Sequence, residues 1–128
     1  KCLKSTLKVT KGVVELSDEQ LEKAFNIGHA AAESFFGWRR LLVNGTVGVV
    51  IDSSSNLPDT VRFKSTCADN TPCFSRKGVY VHFDKSVDNS IIANLKEDQN
   101  ITIMCKSVGA YLGVPPILNG CKFYDGER

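Results

Sequence analysis

The sequence predicts a mainly β domain built as a small closed barrel of five strands, and three observations carry that expectation. The stretch Arg39 to Asp52, RRLLVNGTVGVVID, alternates as one long strand. Leu41, Val43, Gly45, Val47, Val49 and Ile51 share one parity, built for a core, with Val47 and Val49 expected to point into the barrel beside Phe63 and Phe83, whereas Leu42, Asn44, Thr46, Gly48 and Val50 share the other, which is mixed. Its two glycines let the backbone coil or bulge, which a first strand serving both halves of a closed sheet must do. Four further short runs alternate in the same way, separated by turn-forming residues. Helical periodicity is confined to one stretch ahead of the long strand and one short run between the third and fourth strands.

Taken in order, residues 1–16 alternate weakly through Leu7, Val9, Val13, Val14 and Leu16 around Lys11-Gly12, as an extra strand pair or an ordered arm. Ser17-Asp18-Glu19-Gln20 reads as a capping box, a serine hydroxyl and a glutamine exchanging hydrogen bonds across the first turn of a helix. Behind it Leu21, Ala24, Phe25, Gly28, Ala31, Ala32 and Phe35 recur at helical spacing, so one amphipathic helix runs to Phe36-Gly37. Gly28, Ala31 and Ala32 suit close approach to a sheet, and His29 lies off the stripe, facing solvent. After the long strand, Ser53 to Asp59 is a loop. Thr60 to Thr66 and Gly78 to Asp84 are the second and third strands, with Val61, Phe63, Val79, Val81 and Phe83 facing inward. Val87 to Gln99, with Ile91, Ile92 and Leu95, is a short helix or turn that plugs one end of the barrel. Ile101 to Lys106 and Ile117 to Tyr124 complete the set, with the tip between them near Gly113. This order, a leading helix and five strands with a helical segment between the third and fourth, is that of the OB-fold. The expected organisation is therefore an arm over 1–16, one OB-fold domain over 17–124 and a tail over 125–128.

With 128 residues and 42% hydrophobic side chains, one domain buries a sufficient core without a metal. No window approaches 18 consecutive apolar residues, the length a membrane-spanning helix needs. The net charge of +2, from 16 basic and 14 acidic side chains, argues neither for nor against a modest basic patch. The five cysteines are more informative. Cys67 and Cys73 flank ADNTP, a turn-forming insert that brings two thiols together. Cys105 and Cys121 fall opposite each other on neighbouring strands if the tip lies near Gly113. Two disulfides are expected, and with them an exported protein whose signal segment was removed ahead of Lys1. Buried free thiols in a reducing compartment are the competing reading. Cys2 is the remaining cysteine: a lipidated, free or intermolecularly paired thiol, with Lys1 before it arguing against lipidation.

The run from Ser17 to Tyr124 resembles a family of exported bacterial OB-fold proteins, the tRNA-anticodon-binding-like group, many of them periplasmic or lipoproteins. The matching residues are Val43-Asn44-Gly45-Thr46-Val47, Val79-Tyr80-Val81-His82-Phe83, Leu95 to Ile101, and Ile117 to Cys121. The chain departs from the family pattern at Val81, where cysteine is frequent, and at Asp98-Gln99-Asn100, where glycine is usual. The resemblance implies that Cys105 takes the place of that cysteine as the partner of Cys121. It also implies a periplasmic or otherwise extracytoplasmic location, with any membrane attachment through a lipid at or ahead of the N-terminus.

Catalysis is not expected. The sequence has no phosphate-cradling loop, no paired-cysteine or histidine metal signature and no nucleophile elbow, and neither His29 nor His82 sits beside a nucleophile. Asp18-Glu19 and Glu97-Asp98 are carboxylate pairs at a helix start and in a loop, where acidic residues serve capping and solubility. No cofactor or metal is expected. Two sequons, Asn44-Gly45-Thr46 and Asn100-Ile101-Thr102, lie in or beside strands and are chance matches in a bacterial chain. The expected function is a non-catalytic binding module for an envelope or secreted protein. The alternative is binding of single-stranded nucleic acid across strands two and three. There Arg62, Lys64, Tyr80 and His82 share an outward face and supply cations for phosphate and rings for base stacking.

Overall fold

A computed structural model describes residues 8–10, 12–37, 39–52, 58–64, 78–109 and 116–124. The chain opens with a hairpin, β1 (Lys8–Thr10) and β2 (Val13–Ser17), turned at Gly12 with φ 80°. Strand β2 then lies parallel to the N-terminal half of β3 (Arg40–Ile51), so of the two alternatives for the N-terminal stretch the described residues 8–10 and 13–17 form strands. Between them run α1 (Asp18–Ile27) and α2 (His29–Phe36).

The capping box forms as the sequence predicts. The Gln20 amide donates to Ser17 Oγ at 3.1 Å, and the Ser17 amide donates to Gln20 Oε1 at 2.9 Å. The expected single helix is instead two. Gly28 adopts an extended conformation, φ −155° and ψ 92°, closing α1 through its amide to the Ala24 carbonyl and opening α2 through its carbonyl to the Ala32 amide. Glycine loses the most backbone entropy in a helix, so this is where a break costs least. The helical stripe changes accordingly: Ala32 and Phe36 are buried, whereas Ala31 is exposed.

Strand β3 is shared by two sheet halves. Its residues 41–46 pair antiparallel with β6 (Asn100–Cys105), and its residues 47–51 pair antiparallel with β4 (Thr60–Phe63). β4 pairs with β5 (Val79–Phe83), β5 pairs parallel with β8 (Ile117–Phe123), and β8 pairs with β6, closing a ring of five strands. A short strand absent from the sequence reading, β7 (Ser107–Gly109), pairs with β8. Helix α3 (Asn89–Ala93), capped by Asp88, lies between β5 and β6 and buries Ile92.

The interior is filled by Leu41, Val43, Val47, Val61, Phe63, Val79, Val81, Ile103 and Leu118 from the strands, together with Leu21 and Phe36 from the helices. Gly45 is required where it stands, because a Cβ there would come within 2.6 Å of the Phe63 ring. One expectation fails on this strand. Val49 and Ile51 share the parity of the core residues in the sequence, yet they are 43% and 40% exposed. A register irregularity between Val47 and Val49 inserts Gly48 as an extra residue against β4, so every later side chain points to the opposite face.

Candidate functional site

The bulge at Gly48 builds the outward face of β3, β4 and β5. Val49 pairs with Arg62, which pairs with Tyr80, which pairs with Ile117. In the next row Ile51 pairs with Thr60 and Thr60 with His82. Arg62 and His82 are exposed and Tyr80 is half-buried. The stem of Arg62 leans toward Gly78, whose φ of 99° lets the chain enter β5 without a side chain against Arg62 Cγ. Three of the four residues named for this face, Arg62, Tyr80 and His82, are therefore contiguous on it.

Lys64 stands just past the end of β4, and its charge is engaged. Its Nζ contacts Asp98 Oδ1 and lies 3.5 Å from Glu97 Oε2. The hydrogen bond to Asp98 is the main cause of an ammonium pKa raised above its ordinary value, with the charges of Asp98 and Glu97 adding to it. Asp98 reaches this position from a turn in which its φ is 73°, with its amide donating to the Val47 carbonyl. The carboxylate pair Glu97-Asp98 thus neutralises one of the two cations expected to face a polyanion.

Two open hollows flank the face. One, of about 320 Å³, lies beyond His82 among Pro58, Thr60, Phe83, Asp84 and Lys85. Asp84 is held below its ordinary pKa by hydrogen bonds from the Ser86 hydroxyl and amide, with Lys106 and Lys122 assisting. The other, of about 440 Å³, lies beyond Lys64 and is lined by Ser17, Asp18, Glu19, Asn44 and Thr46. Asp18 is only 8% exposed and accepts hydrogen bonds from the Glu19 and Thr46 amides. Burial raises its pKa and outweighs the lowering by those two amides.

The two sequons acquire a structural account in this region. Antiparallel register sets Asn44 opposite Thr102 and Thr46 opposite Asn100. Asn44 Nδ2 donates to Thr102 Oγ1 at 3.2 Å and Thr46 Oγ1 donates to Asn100 Oδ1 at 2.8 Å, a polar cross-strand ladder.

Of the expected disulfides, Cys105–Cys121 is formed between β6 and β8, with both residues fully buried. Cys67, Cys73 and Cys2 lie outside the described residues. His29 stacks edge-on against Phe25 and sits 3.7 Å from Glu33 on the surface of α2, away from the strand face. Sequence reasoning missed Glu22, a helix residue that is 1% exposed and whose Oε2 accepts the Gly78 amide at 2.9 Å. Its place on the buried side of α1, one residue after Leu21, is the only signal that marked it. Among the described residues no cluster of three His, Cys, Asp or Glu side chains has metal-binding geometry, and no described helix is long and apolar enough to cross a membrane. No family model matches the sequence, and neither a curated protein nor a solved structure matches the chain.

Proposed function

We propose that this chain is a non-catalytic, extracytoplasmic OB-fold module whose outward β3–β4–β5 face binds a protein partner of the cell envelope. The observation that carries the reading is the Gly48 bulge, which turns Val49 and Ile51 out beside Arg62 and Tyr80. Arginine and tyrosine are the residues on which protein–protein hot spots are most often built, and exposed apolar neighbours help to exclude water around them. The ring of five strands, with α3 between the third and fourth of them, supports the OB-fold assignment. The Cys105–Cys121 disulfide supports an oxidising compartment.

Oligonucleotide binding is the second reading, favoured by the adjacency of Arg62, Tyr80 and His82. It is weakened by Lys64, whose ammonium is committed to Asp98 and Glu97. A paired comparison separates the two. Envelope extract is passed over the immobilised chain and over its Val49→Asp variant, while a mixed-sequence oligonucleotide is titrated over a salt series. A partner retained by the parent and lost from Val49→Asp is the expected result, with no saturable oligonucleotide binding near physiological salt. Micromolar, salt-dependent oligonucleotide binding that Tyr80→Ala weakens by about 1–3 kcal/mol, the usual value of a stacked base, establishes the second reading instead.

A further inference from the structure

We infer that the hollow beyond His82 receives an acidic segment of the partner, its carboxylates set against Lys85, Lys106 and Lys122; the inference rests on the protein-binding reading above. The hollow, of about 320 Å³, is continuous with the outward face through Thr60 and His82, which stand in the row that begins at the exposed Ile51. Its charges come from three parts of the chain. Asp84 and Lys85 directly follow β5, Lys106 directly follows β6, and Lys122 belongs to β8.

Gly120, which lines the hollow, sets the course of Lys106. Its φ is 64°, and a Cβ there would stand 2.9 Å from Lys106 Cδ, so a residue other than glycine would push the lysine stem aside. Along that course Lys106 Nζ comes to 3.9 Å from Asp84 Oδ1. The charge of Lys122 acts on the same carboxyl. Lys85 lines the hollow, and neither it nor Lys122 has an ion-pair partner within salt-bridge distance among the described residues. Asp59, between Pro58 and Thr60, is buried, which leaves Asp84 as the carboxylate among the residues that line the hollow. Three lysines thus face one aspartate, and two further carboxylates balance them.

The aspartate selects a peptide over a nucleic-acid strand. Its Oδ2 accepts from the Ser86 amide at 3.1 Å and the Ser86 hydroxyl at 2.6 Å. Its Oδ1 has no donor within hydrogen-bond length among the described residues, Lys106 standing just beyond it. A phosphodiester linkage offers negative charge and acceptors alone, so Asp84 repels it. An acidic peptide brings carboxylates to the lysines together with main-chain N–H groups for Oδ1.

The full chain, titrated with acetyl-Gly-Glu-Glu-Gly-amide and followed by backbone amide resonances, tests the inference. Expected are saturable shifts at Asp84, Lys85, Lys106 and Lys122, absent with the peptide carrying glutamine in place of both glutamates. Lys85→Gln and Lys122→Gln, both at exposed positions, should each weaken binding by about fivefold, the upper end for an exposed charge pair. The peptide with esters in place of the two glutamate amides should bind about fivefold more weakly, the worth of one hydrogen bond, and this arm leaves the protein unaltered. If the glutamine peptide or the ester peptide binds as well as the parent, or no peptide saturates, the inference is wrong and the protein-binding face stands on the Val49→Asp comparison. An oligothymidylate that saturates near physiological salt and loses affinity with Lys85→Gln assigns the hollow to phosphate, which overturns this inference and the reading beneath it together.

Discussion

Three aspartates shape the pH response of the fold in opposite senses. Asp18 has its folded-state pKa raised above 3.8, chiefly because it is buried. A raised carboxyl favours the protonated form in the fold, so its stabilising share is fully present below pH 3.8 and is lost as pH rises through the raised value. Asp84 and Asp88 are lowered, by Ser86 and by Ser90 respectively, so their shares are present above pH 3.8 and are lost as pH falls through the lowered values. Asp18→Asn should flatten the decline in urea midpoint on the alkaline side of 3.8 and leave the acid limb in place. Asp84→Ala should do the reverse. Parallel curves for parent and Asp18→Asn would show that burial of this carboxyl is not coupled to stability.

Among the elements, α1 tests how much local chemistry sets a boundary. Ser17→Ala removes the acceptor for the Gln20 amide and should cost about 1 kcal/mol in chemical denaturation. An unchanged midpoint would place the start of the helix under tertiary control. This boundary was legible because a capping box lies within four consecutive residues. The break at Gly28 was not, since a glycine on an apolar stripe reads equally well as close packing or as a helix end. Likewise Gly48 announced a departure from regular pairing, but which side chains it would turn outward depends on where Phe63 sits opposite, a long-range fact. The second and third strands were read with correct inward residues because Val61, Phe63, Val79, Val81 and Phe83 need no register to be placed. For the outward face, type and parity grouped Arg62 with Tyr80 and His82, whereas the acids that engage Lys64 come from a turn over thirty residues later.

For the molecule as a whole, the ring closes where β8 meets β6, and Cys105–Cys121 spans that seam. The two cysteines are separated by 16 positions, so the bridge should contribute roughly 3 kcal/mol through the entropy of the unfolded chain. Comparing the native protein with its reduced form and with Cys105→Ala/Cys121→Ala, by guanidinium unfolding, separates the bridge from the loss of two buried side chains. Equal midpoints for oxidised and reduced protein would show that pairing of β6 with β8 holds the ring unaided. Non-reducing intact mass adds an independent count of the bridges present.

The contact between Glu22 and the Gly78 amide ties the outward face to the helical layer. Gly78 is the residue before β5, so the strand that carries Tyr80 and His82 is held at its start by a carboxylate of α1 as well as by its pairing with β4. A change on the far side of α1 can therefore be felt at Tyr80 without touching the face: Glu22→Ala should shift the amide resonances of β5 while leaving those of β1 and β2 in place.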